Sequence, residues 1–376
     1  MRSIYTASAT AAALCLLLLS AFSTDLTAQT PLTFNYDGTQ RTYFLHLPDD
    51  LPPRAPLVFV LHGYTSSASV IMGYSGMSGV ADEHKFAVCY PQGSKASNGE
   101  NHWNSNLTIS PTDDVGFLTA LAEFLQREYQ LNANHTFACG MSNGGFMSYT
   151  LACERPDIFR AIASVTGTMS GHDWRGCDPS QAVPVFQISG SADEVVPING
   201  SLTPLGGWGG APGMQAVTNY WVRTNICRDS STTTIDGRMP TDVSYYRQGI
   251  NGNQVWQYLI QGWGHSWPFS FSPAGFNASE HIWQFFELVV NRGTVSTEEL
   301  EREVILLSPN PASTQLSIQN RTSYKASNYQ VINLQGQLLI EGVLEGGNTD
   351  VDISPLPQGV YFLQLDGQAH RFLKME

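Results

Sequence analysis

Positive charge is scarce in this 376-residue chain: 19 Lys and Arg stand against 32 Asp and Glu, a formal net charge of −13. Gripping phosphate backbones or anionic lipid takes a basic stripe, which this composition does not favour, so no nucleic-acid partner is expected. Long apolar runs are missing as well. The segment AAALCLLLLSAF near the start falls well short of the ~20 residues that cross a bilayer. With Arg2 before it and STDLTAQ after it, it reads as the apolar part of an export signal cleaved near Ala28–Gln29. No later stretch is apolar enough to span a membrane. Neither C-x-x-C nor H-E-x-x-H occurs, so neither a metal nor another cofactor is expected.

Cysteine is sparse. The chain has six. Cys15 belongs to the leader, which leaves Cys89, Cys139, Cys153, Cys177 and Cys227, an odd set in which at least one thiol stays free. Cys89 and Cys139 sit inside apolar, strand-like runs and read as buried thiols. The other three lie near loops, and Cys153–Cys177 is the expected bridge in an exported chain.

What is present describes a core-forming globular protein, with 42% hydrophobic and 14% charged residues. Its length allows more than one domain. LTFNYDGTQRTYFLHLP reads as a hairpin turning at Asp37–Gly38. Apolar runs of strand length follow: PLVFVL, FAVCYP, HTFACG, AIASVTG, PVFQISG and QVWQYLI. Between them lie helical stretches through SGMSGVADEHKF, DDVGFLTALAEFLQREYQL, the segment from Asn143, MQAVTNYWVRT and ASEHIWQFFELVV. Such alternation predicts a mostly parallel sheet covered by helices on both faces, over residues 30–290. Residues 291–303 are polar and read as a linker. From 304 to 376 short β-like runs separated by turn residues predict a small all-β sandwich.

Within HTFACGMSNGGF, Ser142 stands between Gly140 and Gly144, after a strand and before a helix. A Gly-x-Ser-x-Gly match alone is weak. The strand–turn–helix context makes it a candidate nucleophile elbow, where tiny residues two before and two after the serine let the chain pass closely. The following helix N-terminus favours developing negative charge. Acyl transfer then needs a base, an orienting acid and oxyanion donors. His265, in the loop after QVWQYLI, is the candidate base. His172 comes too early, His281 sits in a helix and His370 lies in the tail. Asp193, after PVFQISG, is the candidate acid, with Glu194 as the fallback, because strand carboxyl ends face the crevice of open α/β sheets. The backbone N–H groups of Asn143 and Tyr64 are the candidate oxyanion donors. His62 reads as a brace for the LHGYTSS loop. Asp113 and Asp114 read as helix caps, with Asp114 also able to orient active-site loops.

The segments LHGYTSSA, ADEHKFAVCYPQG, DDVGFLTAL, GMSNGGFMSYTLACERPDIFRAIASVTG, ISGSADEVVP and GWGHSWP together resemble the secreted esterase family of polyhydroxybutyrate depolymerases and feruloyl and acetylxylan esterases. The resemblance covers roughly residues 33–290. It implies an α/β-hydrolase fold with Ser142, Asp193 and His265 as the triad, acting on a polymeric or oligomeric ester. LSPNPAS and LPQGVYFLQL resemble the C-terminal sorting domain of type IX secretion. That resemblance implies contact with the type IX machinery, passage across an outer membrane and removal of the tail. A carbohydrate-binding sandwich is the competing reading of the tail. Trp103, Trp208, Trp263 and Trp267 are the candidate substrate-contacting aromatics, since flat apolar faces suit ring-bearing or polymeric acyl groups. Plant cell-wall esters are the expected substrate. A polyhydroxybutyrate depolymerase, a serine peptidase of the same fold and a silent carbohydrate-binding protein are the alternatives.

Overall fold

The computed structural model describes residues 30–107, 109–201, 210–293, 305–320, 327–333, 336–344, 348–365 and 368–375. The export-signal reading, residues 294–303 of the expected linker and Trp208 lie outside them. The chain forms two compact units that divide after Val290. No helix among the described residues is long and apolar enough to cross a membrane.

The larger unit opens with the expected hairpin, β1 (Leu32–Tyr36) and β2 (Thr39–His46), with Asp37 and Gly38 both at positive φ in its turn. It continues with β3 (Leu57–Leu61), α1 (Ala68–Ser75), α2 (Met77–His84) and β4 (Ala87–Pro91). Short β5 (Ser94–Lys95) and β6 (Asn101–His102) precede α3 (Asp114–Glu128), β7 (Thr136–Met141), α4 (Asn143–Glu154) and β8 (Ile162–Val165). Then come α5 (Gly171–Gly176), β9 (Val185–Gly190), α6 (Met214–Thr224), β10 (Asp229–Ile235), β11 (Thr241–Arg247), β12 (Val255–Ile260) and α7 (Ala278–Val290). One ten-stranded sheet runs β1-β2-β4-β3-β7-β8-β9-β12-β11-β10. Its six central strands are parallel, and an antiparallel hairpin closes each edge.

Strand alternation builds the core in two layers. Leu57, Phe59 and Leu61 of β3 pack with α3, α4 and α6, through Leu118, Met147 and Trp221 among others. Val58 and Val60 point to the opposite face, with α1, α2 and α7 through Ile71, Val80 and Phe286. Both faces are covered, which is why these strands read as unbroken apolar runs. Cys89 and Cys139 are buried free thiols, one in each layer, and burial pushes both well up. Cys153 and Cys177 are bonded, with Cα atoms 5.3 Å apart, and Cys227 is free.

Several elements were not read from the sequence, α5 and the short β5 and β6 among them. The helical stretch through SGMSGVADEHKF is α2, and an unread helix, α1, precedes it: Gly76, at φ 64°, ends α1 and begins α2, so the chain turns there. The β10–β11 hairpin was not anticipated, because β10 (DSSTTTI) is an exposed edge strand with no apolar face to read.

The smaller unit has β13 (Ile305–Ser308), β14 (Gln315–Asn320) and β17 (Asn348–Asp352) in one sheet. Its other sheet holds β15 (Ser327–Ile332), β16 (Leu338–Leu344), β18 (Gly359–Leu365) and β19 (Gln368–Lys374). Leu316, Ile318 and Val351 of the first sheet share a core with Val331, Leu363 and Phe372 of the second, a small antiparallel sandwich.

Candidate active site

The turn from β7 into α4 carries Ser142 at φ 54° and ψ −118°. A β-carbon on Gly140 would lie 2.4 Å from the carbonyl carbon of Gly144, and one on Gly144 would lie 2.1 Å from Leu61 O. Backbone passes backbone at both positions, so any side chain there would force the turn open. Ser142 N–H donates to Val165 O at 2.9 Å, and Phe146 N–H closes the first helical turn onto Ser142 O at 2.9 Å. The serine is half-exposed. Among the described residues its hydroxyl makes no hydrogen bond.

Asp193 and His265 follow β9 and β12, which are neighbouring parallel strands. Their carboxyl ends approach so closely that a β-carbon on Gly190 would sit 2.2 Å from Trp263 O. Asp193 Oδ2 accepts from His265 Nδ1 at 2.8 Å; the Asp193 side chain is 1% exposed and that of His265 19%. Asp193 Oδ1 accepts the backbone N–H groups of Val195 and Val196, both at 2.9 Å. A buried carboxylate with both oxygens engaged is fixed in orientation, and it fixes the imidazole with Nε2 directed away from it. The fallback, Glu194, is exposed. His172 is exposed as well, while His281 packs in the core side of α7 with Nδ1 3.0 Å from Tyr258 Oη.

The loop after β3 lies against the serine turn: a β-carbon on Gly63 would be 3.5 Å from Ser142 Cβ. This sets the loop that carries Tyr64 alongside the serine turn that leads into α4. The opening amides of a helix have no intrahelical acceptor, and Asn143 supplies the first of them. His62 is fully buried. Its Nε2 accepts Gly93 N–H at 2.9 Å, so Nδ1 carries the proton and donates to Gly63 O at 2.8 Å. Burial holds this imidazole down at about 4, neutral across the working range. It braces the loop as expected from its place in the sequence.

Three further side chains escaped the sequence reading. Asn143 uses its side chain as well as its place in the turn: Oδ1 accepts Trp103 N–H at 2.7 Å and Nδ2 donates to Trp103 O at 2.9 Å. Arg41 of β2 pairs with Asp114 at 2.7 Å, both inside the protein. Burial raises the Asp114 carboxyl, against the pull of the Arg41 guanidinium. Gln92 connects Arg41 to His62, accepting from Arg41 at its carbonyl and donating from Nε2 to His62 Nε2 at 3.1 Å. An isolated Arg in a strand or Gln in a loop carries no sequence signal of such a role. Asp113, by contrast, caps α3 through Gly116 N–H at 2.8 Å, as its position suggests.

The tryptophans require correction. Trp103 has no exposed surface, and its indole N–H donates to His62 O at 3.0 Å, so it is a strut under the loop and has no face left for substrate. Trp263 and Trp267 are 8% and 4% exposed and belong to the core layer beneath α7. Their indole N–H groups donate to Ser266 O and Ser279 Oγ. The side chains that line a cavity beside Ser142 are mostly apolar, Tyr64, Phe146, Val195, Val196, Pro197 and Ala211, with Ser201 among them, around a space of about 360 Å³. Among the described residues none that lines it is charged.

Comparison with known proteins places the chain among esterases. Residues 41–221 match the family described as esterase PHB depolymerase, and residues 307–374 match a secretion system C-terminal sorting domain. Feruloyl esterase C of Emericella nidulans is 27% identical over 262 residues, covering 65% of this chain and 83% of that one. A probable feruloyl esterase C of Aspergillus niger is 31% identical over 198 residues, 50% of this chain and 70% of the relative. Among solved structures, an acetyl xylan esterase from Aspergillus awamori matches with a TM-score of 0.51 at 14% identity, over 69% of this chain and 99% of that chain. At that identity the likeness speaks for the fold alone. The chain belongs to the family of PHB depolymerases and feruloyl esterases, a carboxylic ester hydrolase on an α/β-hydrolase fold followed by a type IX secretion sorting domain.

Proposed function

We propose that the protein is an exported serine esterase in which Ser142 is the nucleophile, His265 the base and Asp193 its orienting acid. The observation that carries this reading is what stands at three strand ends: a serine at φ 54° on the β7–α4 turn, and an imidazole held by a buried carboxylate after β12 and β9. Attack on an ester carbonyl sends the Ser142 proton to His265 Nε2, and the Asn143 and Tyr64 amides receive the oxyanion. Collapse expels the alcohol, protonated by His265, and leaves an acyl-enzyme. Water, deprotonated by His265, then adds to the acyl carbon; the acid leaves and Ser142 regains its proton.

The cavity beside Ser142 is lined among the described residues by no charged side chain, which favours neutral acyl groups. Feruloyl or acetyl esters on xylan fit this requirement and are the proposed substrates, with the esterified polymer as the partner. A neutral 3-hydroxybutyrate polyester satisfies the same requirement. The residue 1–29 segment serves as the export signal, and the sorting domain directs the protein across the outer membrane and is then removed.

Ser142→Ala is expected to lower kcat on p-nitrophenyl acetate by at least about 10³-fold with the Tm unchanged. The same pair of proteins, assayed for release of ferulate, acetate or 3-hydroxybutyrate from the three polymers, identifies the substrate. Undiminished turnover in Ser142→Ala contradicts the mechanism, and release of 3-hydroxybutyrate alone contradicts the cell-wall assignment.

A further inference from the structure

We infer that the buried Arg41–Asp114 ion pair is a positioning device for the oxyanion hole, holding both of its donors through two hydrogen-bonded arms that start from one point. The inference rests on the proposed role of Ser142 and of the Asn143 and Tyr64 amides.

The first arm leaves from the carboxylate. Asp114 Oδ2 accepts Asn104 N–H at 2.8 Å, which fixes the peptide that joins Trp103 to Asn104. Trp103 offers the N–H and C=O that the Asn143 side chain clamps at 2.7 and 2.9 Å. That clamp sets the side chain, and with it the first amide of α4. The second arm leaves from the guanidinium. Arg41 Nη2 donates to Asp114 Oδ1 at 2.7 Å and to Gln92 O at 3.2 Å, with its plane over Phe117 at 3.9 Å. Gln92 Nε2 and Gly93 N–H both reach His62 Nε2, and His62 Nδ1 donates to Gly63 O, the carbonyl of the peptide whose nitrogen belongs to Tyr64. Trp103 also ties the arms together, since its indole N–H donates to His62 O.

Stability alone does not account for such a pair. Placing two charges out of water costs about as much as their attraction returns, and apolar residues of similar volume often serve the fold as well or better. What an apolar pair cannot supply is direction: one acceptor for Asn104 N–H and one donor for Gln92 O, each at a fixed angle. Oxyanion donors must sit within a few tenths of an ångström of the developing charge, and displacement of that order weakens transition-state stabilisation while leaving substrate affinity intact. Arg41 and Asp114 touch no reacting atom, so they act as positioning residues.

The test compares the parent with Asp114→Asn and with the double variant Arg41→Met, Asp114→Leu, in the full chain. Asp114→Asn leaves a buried guanidinium unpaired and is expected to lose stability. The double variant removes both charges and is expected to keep the parent's Tm within a few degrees. In the double variant, kcat on p-nitrophenyl acetate should fall by about 10–100-fold with KM within twofold. The inhibition constant of phenylboronic acid, whose adduct on Ser142 places a tetrahedral anion among the same amides, should rise in proportion to the loss in kcat/KM. A purely structural role would leave both ratios unmoved in the folded fraction. Retention of kcat within twofold by the folded double variant overturns the inference. Because Ser142→Ala is assayed beside it, the two failures separate: an active Ser142→Ala removes the esterase mechanism, whereas an inactive Ser142→Ala with a fully active double variant removes only the positioning role.

Discussion

Single residues at this site are specified by space and protonation more than by their own reactivity. Ser142 is an ordinary hydroxyl; its setting comes from the positive φ of the turn and from Gly140 and Gly144, where a methyl group would overlap main-chain atoms at 2.4 and 2.1 Å. His62 shows the same dependence in its proton. Burial is the main reason its folded value stands at about 4 against 6.5, with the nearby Arg41 guanidinium lowering it a little further. Between those two pH values the unfolded chain binds a proton that the folded chain refuses. The His62 contribution is therefore complete above pH 6.5 and is lost as pH falls toward 4, by roughly 3 kcal/mol at most. His135 and His281 are lowered by burial too and add to the same slope. Comparing Tm at pH 7 and pH 4.5 for the parent and for His62→Gln isolates the one term: the parent should lose more on acidification. Equal losses would show that His62 is not held neutral by the fold.

At the scale of elements, what the sequence made legible and what it concealed divide along one physical line. Elements with two buried faces or a strong helical period announced themselves: α6 over Met214–Thr224 and α7 over Ala278–Val290 lie where the apolar spacing puts them. Elements that owe their form to neighbours did not. α1 carries Ser67 as an N-cap, accepting Val70 N–H at 3.4 Å, but only a short apolar face behind LHGYTSSA. β10 is held by pairing with β11 along its whole length, and its polar side chains carry no pattern. The disulfide, chosen on the sequence only because both cysteines lie near loops, joins the C-terminal end of α4 to the residue that ends α5, across a separation of 24 residues. Closing a loop of that length removes about 3 kcal/mol of freedom from the unfolded chain. Replacing both cysteines by Ser should lower Tm by roughly 6–12 °C in a domain of this size. Turnover per folded molecule should hold, since Cys153 lies about 16 Å along α4 from Ser142 at the usual helical rise. An unchanged Tm would show that the crosslink is redundant.

Across the whole molecule, the order of strands explains why residues 142, 193 and 265 can serve one centre. β7, β8, β9 and β12 lie side by side in that order, so the loops after β7, β9 and β12 open at one edge of the sheet, the place where open α/β sheets put their crevice. Ser142, Asp193 and His265 could be singled out as candidates because each follows a strand in a recognisable setting, and the Asp193–His265 hydrogen bond joins two of them. The tryptophans were misjudged because a flat aromatic beside a catalytic motif reads identically whether it faces ligand or core, and Trp103, Trp263 and Trp267 face the core. Asp114 was read as able to orient active-site loops, but its partner Arg41 was hidden, standing 73 residues away and meeting it only when β2 packs beside α3. The sandwich at the C-terminus has its own core around Val331 and Leu363, in the stretch that matches a secretion system C-terminal sorting domain. As the proposed nucleophile, Ser142 forms a covalent bond with the acyl group during turnover. Treating the full chain with a biotinylated fluorophosphonate, digesting it and mapping the adduct by mass spectrometry tests this directly. The label is predicted on the peptide that contains Ser142, with none on the Ser142→Ala protein; an adduct on any other serine, or rapid ester hydrolysis by a protein that takes no label, would contradict it.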